Sequence, residues 1–500
     1  MSLDLLVQII HSQRQDDWND RNKAAFEALF GAEDGRYPRS AQKCVALRAP
    51  EMSPETGVPF AAYIHPSNPN SGPYSGFSFV VFPCPNEPCL VGLVVGTQGL
   101  TPDEAILGRP GHGRKVRAIC EWLNQTWGNG EQIAWAKQDP TRTDVSVPDS
   151  LTLRWSFYKS AFDRYGKVMY ALFKPTPDRE VTQTAVAAVL DLLFEERGYD
   201  VNARHKKDAE SIKAQWFGCL MPNITQDDVI EHLKLRRYVI IQGPPGTGKT
   251  RMALELLRGA YDGFGRTVQF HPNTTYEAFI GGLAPTLSGT ELGLQFRPKL
   301  GILMEAAAEA IKDRSRSFLL HIDEINRADL AKILGEAIFL LEPDSPLDSS
   351  SKDETEAGRH VDLPYDFAPP FRRTFFLPPN LHVLGTMNSA DRSIAIVDVA
   401  VRRRFAFLSL WPQMGVVQQT RCGLMEEAFR RLVTIFVEHA GDDAFQLVPG
   451  HSYFLETSDQ AAKRRLQTSL APLLEEYLAQ GYVGGFSESI RDYLQWLRSL

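Results

Sequence analysis

The octapeptide GPPGTGKT at residues 243–250 constrains this chain more than any other stretch. It fits G-x-x-x-x-G-K-[ST], follows the apolar run YVIIQ and precedes the helix-forming segment RMALELLRG. A strand, glycine loop and helix in this order turn main-chain N–H groups toward one point at a helix N-terminus, which is an anion site. The set expected to hold a nucleoside triphosphate is Gly243, Pro244, Pro245, Gly246, Thr247, Gly248, Lys249, Thr250 and the adjoining Arg251. Lys249 is placed to reach the outer phosphates and Thr250 to ligate Mg²⁺.

Downstream, FLLHIDEIN (318–326) reads as an apolar strand ending in two carboxylates. Asp323 suits Mg²⁺ coordination, directly or through a water or another ligand, and Glu324 suits polarisation of an attacking water. NRAD (326–329) resembles a guanine-reading N-K-x-D, but it overlaps the acidic strand end and is rejected as a base reader. A further apolar run, LHVLGTMN, places Asn388 at a strand end, where a side chain that both donates and accepts can position water against phosphate. RRRF (402–405) offers cations for the charge that develops in phosphoryl transfer, with Asp398 able to orient one of them. An arginine arriving from a neighbouring subunit requires an oligomer, expected as a ring.

YVIIQ, TVQF, FLLHID and LHVLGTMN alternate with helical segments, so the fold class expected is α/β, a parallel sheet with flanking helices. The expected organisation is an α+β N-terminal domain over 1–177, a helical linker over 178–221, a large α/β subdomain over 222–421 and a small helical subdomain over 422–500. The polar stretch 342–360 interrupts the sheet pattern. No apolar run approaches the roughly 18 residues of a membrane span, and the N-terminus makes a poor signal peptide. Six cysteines in 500 residues fit a reduced compartment, and a cytoplasmic protein without membrane contact is expected. The net charge of −7 supplies no global attraction to nucleic acid.

GPPGTGKT, FHPNTTYEAFIGGLAP, HIDEINRADLAKILGEAIFLLE, LGTMNSADRSIAIVDVAVRRRF and PGHSYF together resemble the McrB family, the AAA+ motors of McrBC-type modification-dependent restriction systems. The resemblance covers about residues 222–485. It implies a AAA+ P-loop fold, a hexameric ring, hydrolysis of GTP or ATP with Mg²⁺, and an McrC-like nuclease partner. It implies catalytic roles for Lys249, Glu324 and Asn388, with Arg403 or Arg404 as the finger and Arg392, Asp398 and Arg402 as interface support. The sequence departs from ordinary AAA+ proteins where these carry a nucleotide-touching arginine in the helical subdomain, since that neighbourhood reads GHSYF (450–454).

The N-terminal region weakly resembles McrB-type target-recognition domains, which implies sensing of DNA, modified or not. GRPGHGRKVR (108–117), read as a glycine-broken basic loop, offers Arg109, Arg114, Lys115 and Arg117 as phosphate contacts. Trp122, Trp127 and Trp135 are weighed as base-stacking residues against core tryptophans, and the near balance of acids and bases over 1–170 favours the core. CPNEPC (84–89), with Cys44 and Cys120, carries only a weak zinc signal, since the x₄ spacing has no second C-x₂-C beside it. The function expected is that of an McrB-like motor driving or regulating a nuclease in antiphage defence. Two alternatives are a MoxR-like protein-remodelling ATPase and a nucleotide-gated scaffold.

Overall fold

The computed structural model describes residues 3–12, 17–31, 34–50, 57–287, 294–342, 359–389 and 399–500. Two compact units result, Met1–Met221 with Ile435–Gly441, and Pro222–Thr434 with Asp442–Leu500.

The first unit is built on an antiparallel sheet of β1 (Ala46–Arg48), β2 (Ala61–Ile64), β3 (Phe77–Phe82), β4 (Leu90–Val95), β5 (Ala134–Ala136) and β6 (Met169–Phe173), in the order β1-β2-β3-β4-β6-β5. FSFVVF and LVGLVV pair as neighbours, with Phe77 opposite Val95 and Phe82 opposite Leu90. Every residue of both strands is buried. That explains why they read as continuous apolar runs instead of alternating ones.

Two local expectations are corrected here. GRPGHGRKVR is no loop; it opens a continuous helix, Pro110–Trp127, with proline at the helix start where a missing N–H is harmless. Its Gly113 marks a close approach, since a β-carbon there would lie 3.0 Å from the Pro140 ring. Residues 178–221 also form part of this compact unit, through the helices Arg179–Glu196 and Ala203–Leu220. The charged run ARHKKDAESIK is tethered by Arg36, which donates to Asp191 at 2.7 and 2.6 Å and to Asp208 at 2.8 Å. Ile212, Trp216 and Leu220, four residues apart, supply a narrow buried stripe that a count of charges conceals.

The second unit holds a five-stranded parallel sheet of β7 (Tyr238–Gly243), β8 (Gly265–Gln269), β11 (Phe318–Asp323), β14 (Leu381–Asn388) and β15 (Ala406–Ser409), ordered β15-β7-β14-β11-β8. The short antiparallel pairs β9–β10 (Gly281–Leu287, Leu294–Leu300) and β12–β13 (Val361–Asp362, Thr374–Phe375) lie outside it. Because side chains alternate along a strand, Tyr238 and Ile240 enter a core with Phe279, Leu303 and Met304, whereas Val239 and Ile241 enter another with Val229, Leu233, Ala253 and Leu256. A sheet covered on both faces needs strands apolar on both. Thr225 and Asp228 close the expected capping box at the start of the helix Gln226–Arg236. Toward the C-terminus the unit is helical, including Ala471–Ala479 and Ser487–Ser499.

Buried histidines make stability pH-dependent. Burial pushes His382 and His451 down to about 4, and pushes His112 to about 3 with help from Lys115 and Arg109. These folded-state values lie below the unfolded one, so the unfolded chain binds protons first as the pH falls. The stabilisation is complete above the ordinary histidine range and is lost toward pH 4, at about 1 kcal/mol per ring by pH 5.5. Urea midpoints should therefore be lower at pH 5.5 than at pH 7.5, and an equal or higher midpoint would contradict this.

Candidate active site

The loop after β7 turns through Gly246 (φ 78°) and Gly248 (φ 85°), both in the left-handed region that glycine enters freely. Gly248 caps the helix Lys249–Arg258. The Lys249 ammonium is buried and donates to the carbonyl oxygens of Gly243 at 3.0 Å and Pro244 at 2.7 Å. Desolvation pushes its pKa down to about 8, while Glu324 and Asp323 pull it up. A lysine held dry beside neutral carbonyls gains most when an anion arrives. The Thr247 hydroxyl donates to Pro244 at 3.0 Å and stiffens the loop. Arg251 instead donates to Glu255 at 2.7 Å on the exposed side of the helix.

Since β14 lies between β7 and β11, its end falls between the phosphate loop and the acid pair, with Asn388 in register with Gly243. Asp323 Oδ1 accepts from Thr250 Oγ1 at 2.8 Å and from Thr386 Oγ1 at 2.5 Å. Thr250 and Asp323 thus present adjacent hard oxygens, the donor chemistry Mg²⁺ takes. Glu324 adopts φ 52°, rare outside glycine, and this turn brings its Oε1 within 2.9 Å of the Asn388 amide nitrogen, which donates to it. Arg327 Nε stands 3.4 Å from Glu324 Oε2. The NRAD residues serve local structure: Asn326 donates to the Asn388 carbonyl at 3.5 Å, and Asp329 caps the following helix through Lys332 N at 3.1 Å.

Thr386 escapes a reading of the sequence, because only the β11–β14 register reveals its proximity to Asp323. Thr386→Val keeps the shape and removes the hydroxyl that orients the carboxylate. The Mg²⁺ concentration for half-maximal hydrolysis should rise by about tenfold, as for lost outer-shell partners of metal ligands. A metal titration that overlays wild type would show Thr386 to be dispensable.

The three arginines separate by exposure. Arg403 is exposed, 3.5 Å from Glu342, and Arg402 is exposed over the Phe407 ring. Arg404, the other finger candidate, is buried, ion-paired to Glu342 at 2.8 Å and donating to Ala400 O at 2.6 Å. Arg392 and Asp398 lie outside the described residues.

The N-terminal cations are also placed differently from expectation. Arg109 and Lys115 pair with the buried carboxylate of Glu196. Arg114 is buried and donates to the carbonyls of Val437 and Ala440 in the same unit. Arg117 donates to the Gln138 carbonyl. These partners, brought together only by the fold, make the cluster a structural one. Trp122 is buried with Trp127 edge-on against it, and Trp135 packs on the sheet core. A cavity of about 870 Å³ instead opens elsewhere in this unit, lined by Arg48, Phe60, Tyr74, Phe82, Arg164 and Tyr165. Its residues are scattered through the chain, so no local motif announced it. Arg48 lies 5.5 Å from the Tyr74 ring centre, and its Nε and Nη1 have no hydrogen-bond partner among the described residues.

A glycine loop, a Thr–Asp oxygen pair, a following glutamate and an asparagine from the intervening strand define a nucleoside triphosphatase of the AAA+ class. A family model for the AAA domain of the dynein-related subfamily matches residues 238–405. The EcoKMcrB subunit of the type IV methyl-directed restriction enzyme of Escherichia coli K12 is 29% identical over 348 residues, covering 63% of this chain and 71% of that protein. The YdiS component of the type II restriction enzyme BsuMI of Bacillus subtilis 168 is 33% identical over 206 residues, covering 34% of this chain and 56% of that protein. The AAA-domain match and the likeness to two restriction-enzyme components support an McrB-like AAA+ ATPase. No helix among the described residues is long and apolar enough to cross a membrane.

Proposed function

We propose that this chain hydrolyses GTP or ATP in an oligomeric ring, a hexamer by resemblance, and couples turnover to an McrC-like nuclease partner in restriction of invading DNA in the cytoplasm. The observation that carries the reading is the Asn388–Glu324 hydrogen bond of 2.9 Å beside the Thr250–Asp323 pair. In this reading the loop residues Gly243–Thr250 and Arg251 surround the nucleotide, and Lys249 neutralises its outer phosphates. Thr250 and Asp323 hold Mg²⁺, which supplies charge neutralisation at the phosphates when bound. Glu324 takes a proton from the attacking water, and Asn388 holds that carboxylate in place. Arg403 of one subunit reaches the site of its neighbour, supported by Arg402, Arg392 and Asp398.

Target sensing is assigned to the N-terminal unit, with DNA as the target. The relatives that are restriction components support this assignment, and the Arg48 cavity offers aromatic faces and a guanidinium whose Nε and Nη1 have no hydrogen-bond partner among the described residues. The test is steady-state hydrolysis of GTP and ATP side by side, with and without the nuclease subunit, and with Asn388→Ala as control. Hydrolysis that the nuclease stimulates and Asn388→Ala abolishes is expected. Turnover indifferent to the nuclease would favour a protein-remodelling ATPase. Assembly on nucleotide without turnover would favour a scaffold.

A further inference from the structure

The motif PGHSYF lies directly on the phosphate loop. Gly450 N donates to Pro245 O at 2.8 Å and Ser452 N to Gly246 O at 3.0 Å. The approach is close enough that a β-carbon at Gly450 would fall 2.2 Å from Gly246 O. Between these two main-chain bonds sits His451, only 8% exposed. Gln413 N donates to its Nδ1 at 3.3 Å, so the neutral ring carries its proton on Nε2. Burial, with the Arg251 charge adding to it, keeps the ring neutral down to about pH 4. Nε2 faces the loop: a β-carbon on Gly248 would lie 3.7 Å from it. No hydrogen-bond partner for Nε2 is present among the described residues. A buried ring with an unused N–H thus points at the segment that holds phosphate.

We propose that His451 donates this N–H to a phosphate oxygen of the bound nucleotide, so that the segment 449–454 is a nucleotide-contacting element as well as a structural brace. The inference rests on nucleotide binding at residues 243–250, as proposed above. It makes His451 a binding residue supplied by the helical part of the unit, where the sequence has GHSYF and no assignable arginine.

Two substitutions separate the ring nitrogens. His451→Asn sets an amide oxygen near the Nδ1 position and keeps the bond from Gln413, but loses the distal donor. His451→Gln sets an amide nitrogen near the Nε2 position. The measurement, on the full chain, is the dissociation constant of Mg²⁺ with N-methylanthraniloyl-GTP and -ATP, together with kcat, KM and the nucleotide-free melting midpoint. A lost hydrogen bond to a charged oxygen is expected to weaken binding by roughly ten- to a hundredfold in His451→Asn. KM should rise with it, kcat and melting should change little, and His451→Gln should restore most of the affinity. Wild-type affinity in His451→Asn, or equal losses in both variants with a lowered melting midpoint, would overturn the contact while leaving nucleotide binding intact. Absence of binding by the wild-type chain would overturn the nucleotide-site reading along with it.

Discussion

Glu324→Gln is expected to bind nucleotide as wild type does and to hydrolyse it about 10²- to 10⁴-fold more slowly, the range for a lost general base. The substitution is nearly isosteric. A glutamine oxygen can still accept from the Asn388 amide, as Glu324 Oε1 does at 2.9 Å, so the φ 52° turn and the loop geometry have no reason to change. What disappears is the carboxylate that takes the proton. The loss should therefore fall on the chemical step in single-turnover hydrolysis, with the dissociation constant within a few-fold of wild type. A variant that turns over normally would remove Glu324 from the mechanism. Asn388→Ala should resemble it, because a carboxylate freed from its amide partner no longer stays in place.

Arg403→Ala is expected to lower hydrolysis by about 10³-fold or more in the assembled protein, the lower end of the effect of an arginine finger. Its guanidinium is 63% exposed, so its removal should leave melting of the chain unchanged. Arg404→Ala should behave differently. That guanidinium is 7% exposed and holds the half-buried Glu342 at 2.8 Å, so its removal takes away the shortest ion pair and leaves that carboxylate only Arg359 and Arg403, at 3.6 and 3.5 Å. Loss of the hydrogen-bonded partner of a charged group in such a setting destabilises by roughly 1–3 kcal/mol, which a melting curve detects. The reverse pattern, with Arg404→Ala stable and inactive and Arg403→Ala active, would exchange the two roles.

What could be read from the sequence was whatever chemistry lies contiguous along the chain. GPPGTGKT carries its strand, turn and helix with it, and the acid pair ends an unmistakable apolar run. The strands of the parallel sheet announce themselves because both of their faces are buried. Asn388 was legible as a strand-end polar residue, but its partner Glu324 became visible only when β14 was found between β7 and β11. Thr386, the Arg48 cavity and the PGHSYF brace depend on contacts between distant segments, which spacing does not encode. The burial that sets Arg404 apart from Arg403 comes with its shorter pair to Glu342, some sixty residues away in the chain. The basic stretch 108–117 misled for the opposite reason: its glycines and charges look like a solvated loop, yet Gly113 packs against Pro140 and Lys115 against Glu196.

The central claim is that hydrolysis takes place at a site shared between two subunits, Glu324 from one and Arg403 from the next. Mixing Glu324→Gln and Arg403→Ala chains tests it most directly. Each variant alone is expected to be nearly inactive. In an equimolar mixture that assembles at random, sites pairing an intact Glu324 with an intact neighbouring Arg403 should restore about a quarter of wild-type hydrolysis. Activity that stays at the level of the separate variants, although the mixture has been shown to co-assemble, would contradict a finger supplied by the neighbour.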